Sequence, residues 1–430
     1  MKKIRLQIIA FLCLLVLQTN VFAQSDIQKR LSEIPEITRV EKLESTEFAE
    51  KYLTHFTQKI DPQNDSVGLF TQRVVVFHAG FDRPTVMVTE GYGGASALRP
   101  SYREEISKLF NTNIIFVEHR YFLESTPQSR DWKYLTAENS AEDLHAIFTV
   151  FKKIYPQKWI STGISKGGQT TLIYRTFFPD DVDISVPYVA PLCYAVEDGR
   201  HEPFLKNIST AENRKKIENF QLEVLKRRTR LMPAFEKLCS DKKYEFTVPL
   251  DEIYDFCVLE YSFAFWQWGT DVAKIPSPTS TDEEIFEHFS KIANPSYFGE
   301  DRNSSFFVQA ARELGYYGYD TEPFEKYLTI KSSKNYLQKL FLPEDAKSTV
   351  FDKTLSEKIV DFLKNNDPKI MFIYGETDPW TAVGVTWTGN EKQNIKLFVQ
   401  PNGSHRARIL TLPDNMKNEA IKTLEKWLEE

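Results

Sequence analysis

A chain of 430 residues with 41% hydrophobic and 27% charged side chains can bury a sizeable core, which excludes a fibre and an intrinsically disordered protein. The formal charge is −6; without residues 1–23, which hold three basic and no acidic side chains, 51 Lys+Arg face 60 Asp+Glu, a net −9. So acidic a chain argues against nucleic acid and anionic membrane as partners, because both select basic patches.

In chain order, Met1-Lys2-Lys3-Ile4-Arg5 is followed by an apolar run from Ile8 to Leu17 and by Val21-Phe22-Ala23. The run is too short to span a bilayer, and Ala23 supplies a small residue before a cut, so residues 1–23 read as a signal peptide for export to the periplasm or beyond the cell. Cys13 lies inside the run and not after it, which argues against a lipid anchor. Val74 to Phe77 and Thr85 to Val88 are β-branched runs joined by Gly80-Phe81-Asp82-Arg83-Pro84, the pattern of a hairpin. Ile114 to Val117 is wholly apolar, as in a strand covered on both faces. Leu144, Ile147, Phe148 and Phe151 recur at helical spacing until Pro156. A strand over 158–162, a helix over 170–178 and a strand over 184–189 follow.

Between about Cys193 and Lys353 strand signals give way to helical patterns, among them Asn213 to Arg230 and Leu259 to Trp268. Alternation resumes with strands at 369–374 and 395–399 and a helix at 414–428. This is an α/β pattern with a mostly parallel sheet, interrupted by a helical cap. The expected division is 1–23 signal peptide, 24–194 and 351–430 the two parts of the core, and 195–350 the cap. The basic run Lys226-Arg227-Arg228-Thr229-Arg230 is expected on a solvated face. Export leaves Cys193, Cys239 and Cys257, an odd number, so at least one is free; a Cys239 to Cys257 bridge and a buried thiol both remain open.

Gly163-Ile164-Ser165-Lys166-Gly167 matches G-x-S-x-G between a predicted strand and a predicted helix. That context holds a serine on a strained turn with its hydroxyl above the sheet, where small neighbours are required. Such a hydroxyl becomes nucleophilic only beside a base, and the base needs a carboxylate to orient it. Asp378 and His405 each follow a predicted strand, and His405 is the one histidine beyond Asp378. Both are expected at the carboxyl edge of the sheet, with Glu376 a rival to Asp378. An oxyanion needs two amides, one from the residue after the nucleophile. Lys166 fits, and the loop Glu90-Gly91-Tyr92-Gly93-Gly94 offers Tyr92, with Gly91 as the alternative. A dinucleotide reading of that loop fails for want of the third glycine, and no H-E-x-x-H or paired-cysteine metal set occurs.

At Glu118-His119-Arg120-Tyr121-Phe122, Gly163-Ile164-Ser165-Lys166-Gly167-Gly168, Phe178-Pro179-Asp180-Asp181-Val182-Asp183, Tyr188-Val189-Ala190-Pro191 and Glu376-Thr377-Asp378-Pro379-Trp380 the chain resembles the secreted bacterial prolyl tri- and tetrapeptidyl aminopeptidases. It is more distantly similar to lysosomal Pro-X carboxypeptidase and dipeptidyl-peptidase II. The resemblance implies an α/β-hydrolase fold and a serine exopeptidase acting on peptides with free N-termini, often after proline, with Ser165, Asp378 and His405 as triad. No cofactor is called for.

An aminopeptidase needs a carboxylate for the substrate's ammonium at a fixed distance from the serine. Three extended residues span about 10 Å, and Glu197 and Asp198, soon after the 184–189 strand, are candidates. Phe263, Phe265, Trp266 and Trp268 could wall a proline pocket or simply pack the cap. Glu118-His119-Arg120 is expected to support the site by hydrogen bonds. The same triad would serve a secreted carboxylesterase, and a non-catalytic binding protein of this fold is a third reading.

Overall fold

The computed structural model describes residues 25–299, 304–388 and 391–430. The expected signal peptide and Cys13 lie outside the described residues. The strands are β1 (Ile37–Lys42), β2 (Glu50–Lys59), β3 (Leu69–His78), β4 (Thr85–Thr89), β5 (Asn113–Val117), β6 (Trp159–Ile164), β7 (Ile184–Tyr188), β8 (Ile370–Gly375) and β9 (Ile395–Gln400). They form one sheet in the order β1-β2-β3-β5-β4-β6-β7-β8-β9. The β1 to β3 edge is antiparallel, β3 pairs antiparallel with β5, and from β5 to β9 every pairing is parallel. This is the α/β-hydrolase arrangement.

Helices cover both faces because alternate side chains of each strand point to opposite sides. On one face Val75, Phe77, Val86, Val88 and Ile114 pack with Ala420, Leu424 and Trp427 of a C-terminal helix. On the other, Val74, Val76, Met87 and Ile115 meet Leu144, Ile147 and Phe151. The helices of the sheet layers are α1 (Asp26–Ser32), α2 (Glu105–Phe110), α3 (Ala137–Phe151) and α4 (Lys166–Phe177). Between β7 and β8 come α5 (His201–Asn207), α6 (Ala211–Lys226), α7 (Arg228–Lys242), α8 (Leu250–Gln267), α9 (Asp282–Ile292), α10 (Ser304–Gln309), α11 (Tyr336–Phe341) and α12 (Thr354–Asn365). The chain ends in α13 (Asp414–Glu429).

The stretch between β7 and β8 adds no strand among its described residues and has its own aromatic core. Phe220, Phe235, Tyr254, Phe265, Phe289 and Phe307 belong to it. α8 is buried on nearly all sides, so it lacks the polar face of a surface helix.

Two expectations need correction. β3 and β4 are consecutive but not a hairpin: β5 lies between them, antiparallel to β3 and parallel to β4. The Gly-Pro connection carries the chain across β5, and only the sheet order reveals this. The basic run is a solvated face only in part, with Lys226, Thr229 and Arg230 exposed and the two middle arginines turned inward. Arg227 is 8% exposed and reaches Glu223 (2.6 Å), Asp282 (2.9 Å) and the Ser280 carbonyl (2.9 Å), while Arg228 pairs with buried Asp255. Carboxylates and carbonyls gathered at the α6–α7 junction compensate both guanidinium groups.

Candidate active site

Ser165 stands between β6 and α4 at φ 59°, ψ −121°, a conformation that costs a non-glycine residue about 1–3 kcal/mol. The surroundings hold it there. Its N–H donates to the Tyr188 carbonyl (2.9 Å), and its carbonyl accepts from the Gln169 N–H (2.9 Å). Close backbone approach explains the glycines: a Cβ on Gly163 would lie 2.3 Å from the Gly167 oxygen, and one on Gly168 2.6 Å from the Tyr188 oxygen.

The β8 and β9 ends supply an acid and a base. Asp378 is fully buried, caps the 3₁₀ turn Pro379–Val383 by accepting from the Trp380 N–H (3.1 Å), and accepts from His405 Nδ1 (2.6 Å). That bond fixes Nδ1 as the donor and leaves Nε2 as the basic nitrogen. Glu376 is exposed and accepts instead from the Asn402 N–H (2.7 Å).

α4 begins at Lys166, so the Lys166 N–H belongs to the first turn, which has no intrahelical acceptors, at the positive end of the helix dipole. The loop after β4 packs against it. A Cβ on Gly91 would come within 2.6 Å of the Gly167 nitrogen. The N–H groups of Gly91 and Tyr92 donate to Glu90 Oε1 at 3.1 and 3.2 Å. Glu118 steadies this loop from below, accepting from the Gly94 N–H (2.7 Å) and pairing with Arg73. Arg120 grips Asp143 at 2.7 and 2.8 Å.

The Lys166 side chain runs inward. Its Nζ lies 5.8 Å from the Tyr92 ring centre and 5.4 Å from that of Phe122. Burial pushes its pKa down to about 7, against the opposing pull of Glu90 and Glu313. Burial raises both carboxyls, Glu313 to about 7.

Ser165 opens into a cavity of about 490 Å³ whose lining includes Tyr92, Lys166, Glu260, Trp268, Tyr316 and Trp380. The Trp268 ring also meets that of His405 edge-on, with centres 6.0 Å apart. α8 presents Glu260, Ala264 and Gln267, and then Trp268 just beyond its end, to this space. At about 100° per residue these positions share one side of the helix, which turns Phe265 and Trp266 away. Both are buried, Phe265 in the aromatic core and Trp266 at 7% exposure against it, and neither lines the cavity. Glu197 and Asp198 do not line it either: Glu197 accepts from the Asn335 N–H, and Asp198 is held by Arg200 at 2.7 Å.

Glu260 was not singled out from sequence. It is 5% exposed, and Oε2 accepts from the Tyr317 and Tyr319 hydroxyls at 2.9 and 2.8 Å. Burial pushes its carboxyl up to about 7. The available signal was an acid inside the otherwise apolar run Phe256-Cys257-Val258-Leu259-Glu260-Tyr261. Cys193, Cys239 and Cys257 are buried free thiols. No cluster of metal-ligating side chains occurs among the described residues, and no described helix is long and apolar enough to cross a membrane.

A prolyl tri/tetrapeptidyl aminopeptidase of Streptomyces mobaraensis is 28% identical over 417 residues, covering 94% of this chain and 85% of that one. A probable serine protease of Arabidopsis thaliana is 26% identical over 143 residues, 29% of each chain. Among solved structures, the proline iminopeptidase of Mycobacterium smegmatis aligns with 91% of this chain and 99% of its own at 13% identity and a TM-score of 0.39. The family described as PS-10 peptidase S37 matches residues 22–429, a span that encloses Ser165, Asp378, His405 and every strand of the sheet, and the chain belongs to that family of serine peptidases.

Proposed function

We propose that the protein is an exported exopeptidase that releases tri- or tetrapeptides from free peptide N-termini, with a preference for proline at the cleavage site. Ser165, His405 and Asp378 form its triad. His405 Nε2 takes the Ser165 proton as Oγ attacks the scissile carbonyl, and Asp378 stabilises the imidazolium that forms. The Lys166 and Tyr92 amides receive the oxyanion, the Tyr92 N–H giving up its long bond to Glu90. His405 then protonates the leaving amine, and water releases the acyl group by the reverse sequence.

The observation that carries this reading is the single cavity joining Ser165 to aromatic walls. Trp268, Tyr316 and Trp380 offer ring faces suited to an apolar pyrrolidine, and the space is of the size that holds a small ligand. The name of the Streptomyces relative supports the same substrate class.

Mass spectrometry of products from a free and an N-acetylated proline-containing peptide tests the proposal. The expected result is release of an N-terminal tri- or tetrapeptide from the free peptide only. Ser165→Ala is expected to lower turnover by about 10⁶ with the fold intact. Internal cleavage of both peptides would overturn the exopeptidase assignment, and an active Ser165→Ala protein the nucleophile.

A further inference from the structure

We propose that Glu260 is the anchor for the substrate's N-terminal ammonium group, and that its place on α8 sets the released peptide at three residues. The inference rests on the aminopeptidase reading above and adds the residue that enforces it.

The pairing of buried carboxylates singles Glu260 out. Six are buried among the described residues: Glu118, Asp143, Asp198, Asp255, Glu260 and Asp378. Four face an arginine: Arg73, Arg120, Arg200 and Arg228 respectively serve Glu118, Asp143, Asp198 and Asp255. Asp378 faces His405. Glu260 has no ion pair with a described residue. Two phenols satisfy Oε2, and Oε1 takes no hydrogen bond from the described residues. A carboxylate held in so dry a place without a cation is costly, and the cost is relieved when a cation arrives.

Among the described residues, the groups packed directly around Glu260 hold their neutral form near pH 7. The titratable groups facing it are the phenols of Tyr297, Tyr316, Tyr317, Tyr319 and Tyr336 and the Cys257 thiol, all raised by burial. Lys166, whose pKa burial lowers to about 7, lines the same cavity beside Ser165. Aromatic faces around Glu260 would further favour a bound ammonium.

Helix geometry sets the distance. The His405 N–H donates to the Gln267 carbonyl at 2.9 Å, which fastens the C-terminal end of α8 to the loop carrying the base. Glu260 lies seven residues back on the cavity-facing side. Seven residues of α-helix rise about 10 Å, the span of about three extended residues. A peptide whose third residue presents its carbonyl to Ser165 would thus bring its ammonium to Glu260. A shorter chain would fall short, and a longer one would have to fold back.

The test compares kcat/KM for free and N-acetylated forms of a peptide with proline third from its N-terminus, in wild type and Glu260→Gln. In wild type the free form is expected to be favoured by about 100-fold or more, and in Glu260→Gln that preference should collapse to within about fivefold. A preference kept by a folded Glu260→Gln protein overturns the anchor and leaves the aminopeptidase reading standing. Equal cleavage of both forms by wild type overturns both.

If Glu260→Gln does not fold, wild type decides alone through inhibition by the tripeptide Ala-Ala-Pro. Its inhibition constant should weaken about tenfold or more from pH 7.5 to 5.5 as Glu260 takes up a proton, while that of the acetylated tripeptide changes little. The same pH dependence for both tripeptides overturns the anchor.

Discussion

Asp378 and Glu376 are two residues apart on one turn, yet burial separates their roles. Asp378 is enclosed and bonded to His405 Nδ1, whereas Glu376 faces water and ties the turn to Asn402. An amide at 378 would keep the shape but could impose the wrong tautomer on the imidazole. Asp378→Asn is therefore expected to lower kcat by about 10⁴ with an unchanged circular dichroism spectrum, measured by steady-state kinetics on a peptide substrate. A much smaller loss would transfer the orienting role elsewhere. Ser165, Asp378 and His405 could be proposed from sequence because acyl transfer calls for those residue types and the α/β-hydrolase fold sets their order along the chain. Glu260 could not. An acid two turns before the end of a helix looks ordinary until the helix is seen to be buried, with that acid turned into the cavity.

Strand-turn-helix alternation was legible around Ser165, where β6 ends at Ile164 and α4 starts at Lys166. The tightness of that junction follows from how two elements meet. In Gly163→Ala the new methyl would sit 2.3 Å from the Gly167 oxygen and 2.7 Å from the Thr89 oxygen, both backbone atoms. Neither can move without shifting β4 or the start of α4. We expect a loss of about 1–3 kcal/mol or more in urea unfolding, with turnover reduced at least tenfold because Ser165 moves. Wild-type stability and activity would show that the turn yields more easily than its contacts imply. Strands β1 and β2 went unread; the edge strand β1, Ile37–Lys42, carries charges at half its positions and lies largely exposed. Reading β3 and β4 as a hairpin failed because a short Gly-Pro connection says nothing about a third strand entering between the two.

Across the whole molecule, burial of ionisable groups links folding to pH. His201 at the start of α5 is 1% exposed, packed against Phe263, Tyr317 and Trp380, with Nε2 unpartnered. Burial pushes its pKa down to about 4 from 6.5. The unfolded chain therefore binds the proton more readily, so this contribution to stability is intact above pH 6.5 and is lost as pH falls toward 4. The full effect is about 3 kcal/mol. Between pH 7.5 and 4.5, urea unfolding of wild type should lose about 2 kcal/mol more than that of His201→Phe; equal losses would place the acid sensitivity elsewhere. The fold class was readable along the chain, as were the candidate residues for the site. Those follow from hydrophobic periodicity and from the local demands of a nucleophile turn. The strand order, the acid that faces His405, the side of α8 that lines the cavity and the buried carboxylate without a cation among the described residues emerge only in the folded chain. Each of these depends on the distance between segments far apart in the chain, and local pattern carries no measure of that distance.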